Sequence, residues 1–417
     1  MNLISLKPNF EGLFSDQRLD KRANKIVDLL IRSRSSSIKG TTNHEAEQKG
    51  FYRFLENDKV TEEQLIQSIQ SRCAENVKNK DVIVIQDTSS VGLSNHRNRL
   101  KPLSGIGLVG NKKGLGFLMH PALVIDAKTE AMLGFSAIKL WHRQIDKSNN
   151  STGIYKRQPI EEKESNKWIE VSEQTKKVLA TAQSITIVED REGDIYEQFC
   201  RVPDKKTNLV IRSRDNRKLS NGKYLHDFLH RLPVSGSYSL IIEKDIRKKI
   251  PGRTANIAVR YSKVVISKPS KVKSKKHPKT LCLFAVEARE VRGPKHNSIR
   301  WRLLTTHEVN SFESALRILK IYQQRWYIEQ VFRLLKKRGF KIEESELSSG
   351  WSIRKLTVLL LNNILRIMQL LMAYENEEAQ ALTEVFNNEE IKCLSEVGLE
   401  MQFNYRTSLK TPLCKSI

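Results

Sequence analysis

The sequence predicts a mixed α/β chain with helical parts at both ends and a β-rich segment inserted at about 205–305. Three observations carry that expectation. Residues 1–70 space their apolar side chains at helical intervals. Two short β-branched runs, Val82 to Ile85 and Ile185 to Val188, have the composition of buried strands, and each delivers an aspartate into a polar turn. From about 205 to 305 the hydrophobic period falls to two.

In the N-terminal part, Leu19, Ile26, Leu29, Leu30 and Ile31 mark the apolar stripe of a helix that also carries Asp20, Lys21, Arg22, Lys25, Arg32 and Arg34. A charged solvent face and a helix lying on a phosphate backbone both fit this pattern. A serine-rich link follows, and a second helix is expected from near His44. After the first β-branched run come Asp87, Thr88, Ser89 and Ser90. An aspartate there caps a turn more often than it ligates a metal.

Gly105, Gly107 and Gly110 match GxGxxG, with Asp126 some way downstream. A dinucleotide site needs a helix to open on those glycines. Here Asn111, Lys112, Lys113, Gly114 and Gly116 follow, so a basic loop leading into a strand, Phe117 to Ile125, is expected instead. His120 within that strand is read as a satisfied core histidine. Trp168 to Thr181 is expected to be a helix, and the second β-branched run ends in Glu189, Asp190, Arg191, Glu192, Gly193 and Asp194.

The β-rich segment contains Leu209 to Arg212, Tyr238 to Glu243, Ile257 to Ile266, Leu281 to Val286 and Trp301 to Thr305, with a basic loop at Lys268 to Lys279. The pair His226 and His230 lacks the glutamate of a zinc protease motif and is read as structural or surface. Ile321 to Lys341 reads as one helix on which Tyr322, Arg325, Glu329 and Lys336 share an arc of about 60°. By itself that stripe is more often a solvated charged face with an i,i+4 pair than a binding surface. Leu356 to Met372, interrupted by Asn362, Asn363 and Arg366, fits a buried helix better than a membrane span.

Charge points to the partner. Across 417 residues, 72 Lys and Arg against 47 Asp and Glu leave a net charge of +25, spread along the chain. A polyanion is implied, with nucleic acid ahead of a membrane surface because no anchor is expected. Five unpaired-looking cysteines (Cys73, Cys200, Cys282, Cys393 and Cys414) and the expected lack of a secretory signal argue for reduced thiols in a cytoplasmic setting. Two strand-exit carboxylates and a third on a helix are the oxygen donors that a Mg²⁺ phosphoryl-transfer site requires.

Asp87, Asp190 and Glu329, with the Tyr-x2-Arg-x3-Glu-x6-Lys run at Tyr322, Arg325, Glu329 and Lys336, resemble the DDE cut-and-paste transposases of the insertion-sequence-four group. Further stretches resemble that family: LDKRANKI, QKGFYRFLEND, IQDTSS, EKESNKW, VEDREGDIY and WRLLTT. The resemblance implies an RNase H-like catalytic domain over 71–372 and a helical DNA-end-binding domain over 1–70, in which Lys21 and Arg22 contact DNA. It also implies a short C-terminal helical region at 373–417 that serves dimerisation. Asp87, Asp190 and Glu329 would be catalytic metal ligands for Mg²⁺, with Mn²⁺ substituting. Tyr322, Arg325 and Lys336 would hold phosphates of the transferred end, Arg212 would approach that end, and Trp301 would stack on a flipped base. The implied partners are terminal inverted repeats and target DNA, bound by a homodimer at the bacterial nucleoid. A truncated copy that only occupies the repeats, acting as a repressor, is the alternative, and for Trp301 the alternative is a core tryptophan on a strand.

Overall fold

The computed structural model describes residues 10–375 except Arg34, Asn43, Arg97, Pro102, 111–113, 145–157, 243–250, 295–297 and Arg338. The C-terminal region expected at 373–417 therefore lies, beyond Glu375, outside the described residues. The chain is mixed α/β. Its order is α1 (Gln17–Ser33), α2 (Ile38–Thr41), α3 (Glu45–Glu56), α4 (Glu62–Asn76), β1 (Asp81–Gln86), β2 (Ser89–Gly92), β3 (Gly107–Val109), β4 (Gly114–Asp126) and β5 (Met132–Trp141). There follow α5 (Lys167–Val178), β6 (Ser184–Glu189), α6 (Tyr196–Arg201), β7 (Thr207–Arg212), α7 (Leu225–Arg231), β8 (Gly236–Ile242), β9 (Arg253–Ser267), β10 (Thr280–Glu290) and β11 (Arg300–Thr305). The last helices are α8 (Phe312–Gln323), α9 (Trp326–Leu335) and α10 (Gly350–Glu375).

The described residues form two compact units: 10–144 with Gln174–Gln183 and 327–375, and 158–173 with Ser184–Trp326. In the first, α1 buries Ala23, Ile26, Val27 and Leu30, the i, i+3, i+4, i+7 face of an amphipathic helix. Asp20 is not part of the charged face read from the sequence. It is 5% exposed and accepts the backbone N–H groups of Gly12 and Phe14 at 2.8 and 3.0 Å. Thr61 and Gln64 form a capping box that starts α4. The glycines at 105, 107 and 110 open no helix, since β3 and then β4 follow.

β4 is the hub of this unit, pairing antiparallel with β1, β2, β3 and β5. α10 is long and apolar enough to cross a membrane by length and composition. Its face of Leu356, Leu359, Leu360 and Ile364 is fully buried, and the helix packs on α1, α3 and α4.

β5 meets α4 so closely that it needs a glycine. Gly134 has φ +138°, and a Cβ there would stand 2.8 Å from the Cβ of Cys73. Gly134→Ala is expected to cost about 2 kcal/mol or more, combining backbone strain with overpacking. A thermal melt checks this, and an unchanged midpoint would show that α4 can retreat freely.

In the second unit, β6 and β7 run parallel, with Glu189 opposite Ile211. β11 adds antiparallel to β7, and β10, β9 and β8 follow in turn. The β-rich segment thus extends the sheet that holds β6. α7 carries both histidines: the half-buried His226 ring meets Ser213 Oγ at 3.4 Å, and the exposed His230 pairs with Arg289 at 3.0 Å.

Candidate functional site

Each unit assembles part of the residue set selected from the sequence. In the second unit the parallel pairing of β6 and β7 sets the geometry. Asp190 and Arg212 follow or end strands in matched register, so both leave the sheet at the same end. Arg212 Nη1 stands 4.0 Å from Asp190 Oδ1. α8 brings Tyr322 across, and its hydroxyl donates to Asp190 Oδ1 at 3.0 Å. Burial, then the adjacent Asp190 charge, pushes the Tyr322 phenol above the usual tyrosine range, so it stays a donor.

Trp301 on β11 is 7% exposed, and its ring meets Tyr322 edge to face at 5.3 Å and 71°. That is the packing of a strand-borne core tryptophan. Four of the selected side chains thus converge here, while Arg325 acts on Tyr322 through its charge.

In the first unit Asp87 follows β1, whose Val82, Ile83, Val84 and Ile85 are all buried. The carboxylate accepts the N–H of Thr88 at 2.7 Å. Behind it His120, fully buried on β4, bridges Thr88 Oγ1 at 2.8 Å and Gln86 Oε1 at 3.2 Å, as expected of a satisfied core histidine. With Gln86 Oε1 accepting, Nε2–H is the donor and Nδ1 takes the Thr88 hydroxyl proton. Lys336 Nζ donates to Ser89 Oγ at 2.7 Å and stands 3.9 Å from Glu343. Burial lowers its pKa from the usual lysine value. Glu329 on α9 is half-buried.

Three features differ from the sequence reading or were missed by it. The stretch Ile321 to Lys341 is not one helix: α8 ends at Gln323, the turn tightens to an i→i+3 bond from Arg325 N–H to Tyr322 O at 3.1 Å, and α9 starts at Trp326. Glu189, grouped by sequence with a polar turn, is fully buried and accepts from Gln198 at 2.5 Å and Ser172 at 3.4 Å. Burial raises its carboxyl well above the usual range. Glu343 was also missed; it accepts the N–H of Gly92 at 2.9 Å and so ties down the end of β2.

In α1, Lys21 is exposed. Arg22 lays its guanidinium over Gly50 of α3, where a Cβ would stand 1.6 Å from Nη1. It therefore has a packing role whatever else it contacts.

The carboxylates of Asp87, Asp190 and Glu329 are all oxygen donors and all only partly buried, a donor chemistry that suits Mg²⁺. Among the described residues no group of three or more His, Cys, Asp or Glu side chains gathers into a metal-holding cluster.

Among solved structures, the chain is similar to a piggyBac transposase in a synaptic complex with hairpin DNA, solved by cryo-electron microscopy. The TM-score is 0.38 at 9% identity, with 82% of this chain and 57% of that chain covered. This chain thus spans 57% of the length of that one. Residues 10–60, which run from Phe10 through α1, α2 and α3 to Val60, match the family model described as transposase DNA-binding.

Proposed function

We propose that this chain is a DNA transposase of the DDE class, related to the insertion-sequence-four group and built on an RNase H-like core. It binds the terminal inverted repeats of its own element as a dimer at the bacterial nucleoid and cuts the DNA ends. The observation that carries the reading is the transposase DNA-binding match over residues 10–60. The Asp190 cluster and the strand-exit position of Asp87 support the enzymatic part.

In this reading Asp87, Asp190 and Glu329 would hold Mg²⁺, or Mn²⁺ in its place, once DNA is bound. A divalent pair there would acidify a water or 3'-hydroxyl and neutralise charge on the phosphate. Tyr322 fixes the Asp190 carboxylate by donating to Oδ1. Arg212 and Arg325 offer guanidinium forks to phosphate oxygens, and Lys336 a point charge. Lys21 and Arg22 contact the phosphate backbone of the terminal repeat. Trp301, 7% exposed and packed edge to face on Tyr322, would give an aromatic face to an extruded base once that contact opens, returning part of its stacking energy.

Water attacks one phosphodiester and frees a 3'-hydroxyl. That hydroxyl attacks the opposite strand, closing a hairpin and releasing the flanking strand with a 3'-hydroxyl. A second water reopens the hairpin, and the 3' end then attacks a target phosphodiester.

Incubating the full chain with end-labelled terminal-repeat DNA, with Mg²⁺ or with EDTA, tests this. Nicks, hairpins and joined products that require the metal are expected. Binding without any metal-dependent product would instead favour a repressor that only occupies the repeats.

A further inference from the structure

We propose that the second unit carries its own phosphate-binding groove, which grips the backbone of a DNA strand through the hairpin loop between β9 and β10. This contact is separate from residues 10–60 and holds whether or not the chain cuts DNA. The groove is a concave cavity of about 1170 Å³ between α6, the turn after β7 and that loop. The loop, Lys268 to Lys279, holds six lysines, His277 and no acidic residue. A run of this kind is ordinarily a solvated tip, but here its shape is held.

Lys268 N–H donates to Lys279 O at 2.8 Å, and Val272 N–H to Pro269 O at 2.9 Å. Lys268 Nζ turns inward to the carbonyls of Ser274 and His277, at 3.1 and 3.5 Å. The hydroxyl of the buried Tyr196 on α6 pins the far side through Pro278 O at 2.9 Å. Lys273 and Lys276 thus stand exposed over a groove instead of on a convex tip. Preorganisation of this kind cuts the ordering cost of binding.

Three of the four acidic lining residues face a cation, and the fourth, Glu197, is half-buried on α6. Asp194 pairs with Arg217, and Glu161 with Arg201 at 3.0 Å. Glu192 lies 3.5 Å from Lys167. The lining aromatics are the buried Tyr196 and the half-buried His277, so the groove offers no open platform on which bases could stack. Its chemistry is therefore that of backbone phosphate, read without sequence.

The test measures binding of the full chain to random-sequence DNA, duplex and single-stranded, in EDTA across a salt series, so that neither repeat recognition nor cleavage is read. Each phosphate contact contributes about 0.9 to the slope of log affinity against log salt for duplex and about 0.7 for single strands. The double variant K273A/K276A is expected to flatten the slope by about 1.8 or about 1.4, and which of the two DNA forms responds identifies the bound form. K273E/K276E should weaken binding further. Both pairs are solvent-exposed, so melting midpoints equal to the wild type confirm that folding is intact. Wild-type affinity and slope for both DNA forms in K273E/K276E would overturn the proposal.

Discussion

Asp190→Asn is expected to lower Mg²⁺-dependent cleavage of terminal-repeat DNA by about 10³-fold while leaving DNA binding at the wild-type level. Asparagine keeps the side-chain shape and an acceptor for the Tyr322 hydroxyl, which now reaches Asp190 Oδ1 at 3.0 Å. What disappears is the negative charge that would hold a divalent ion. Metal catalysis supplies several kcal/mol of transition-state stabilisation, and at 1.36 kcal/mol per tenfold this is about three orders of magnitude. Tyr322→Phe gives the comparison. It retains the ring packed on Trp301 but frees the carboxylate to swing, and outer partners of metal ligands are worth about 10–100-fold. That variant should therefore need more Mg²⁺ for half-maximal rate, whereas Asp190→Asn should not recover at any concentration. Wild-type cleavage by Asp190→Asn would remove Asp190 from the chemistry.

The strands that deliver the two aspartates were legible because their cause is local. A β-branched run buried on both sides is written in consecutive residues, and β1 and β6 both follow it. The core role of His120 was legible for the same reason, since it sits in the middle of an apolar strand. The break between α8 and α9 was not: no glycine or proline marks Gln324 or Arg325, and the apolar periodicity runs on through Ile321, Ile328 and Val331.

Burial of charged groups was hidden for a different reason, because the partners are remote in sequence. Glu189 accepts hydrogen bonds from Ser172 and Gln198, on the helices that precede and follow its strand. Glu62 is paired with Arg354 at 2.7 Å across 292 positions. Each looks like surface until the chain folds. Family resemblance picked out Tyr322, Arg212 and Trp301 together, which local pattern alone could not. Their convergence on Asp190 follows from the register of β6, β7 and β11.

The second large effect lies just behind this cluster. Asp194 is fully buried, and its Oδ1 accepts Arg217 Nε at 2.9 Å and Nη2 at 2.5 Å. Its Oδ2 accepts the N–H groups of Arg214 and Asp215 at 2.8 and 3.2 Å. Those two residues follow Arg212 by two and three positions, so the carboxylate pins the segment just after the arginine beside Asp190. Arg217→Met removes one member of a dry ion pair and leaves a buried carboxylate with two amides, a change that costs about 3–5 kcal/mol. In a unit of this size each kcal/mol lowers the melting midpoint by about 2–4 °C.

Adding Asp194→Asn to that variant should recover part of the loss. The stranded charge is gone, while the amide oxygen still accepts from Arg214 and Asp215. Recovery in the double variant separates the cost of an unpaired charge from the cost of lost packing, which a second truncation could only deepen. A single variant that melts with the wild type would mean that water reaches Asp194, and the turn after β7 would then owe its shape to something other than this pair.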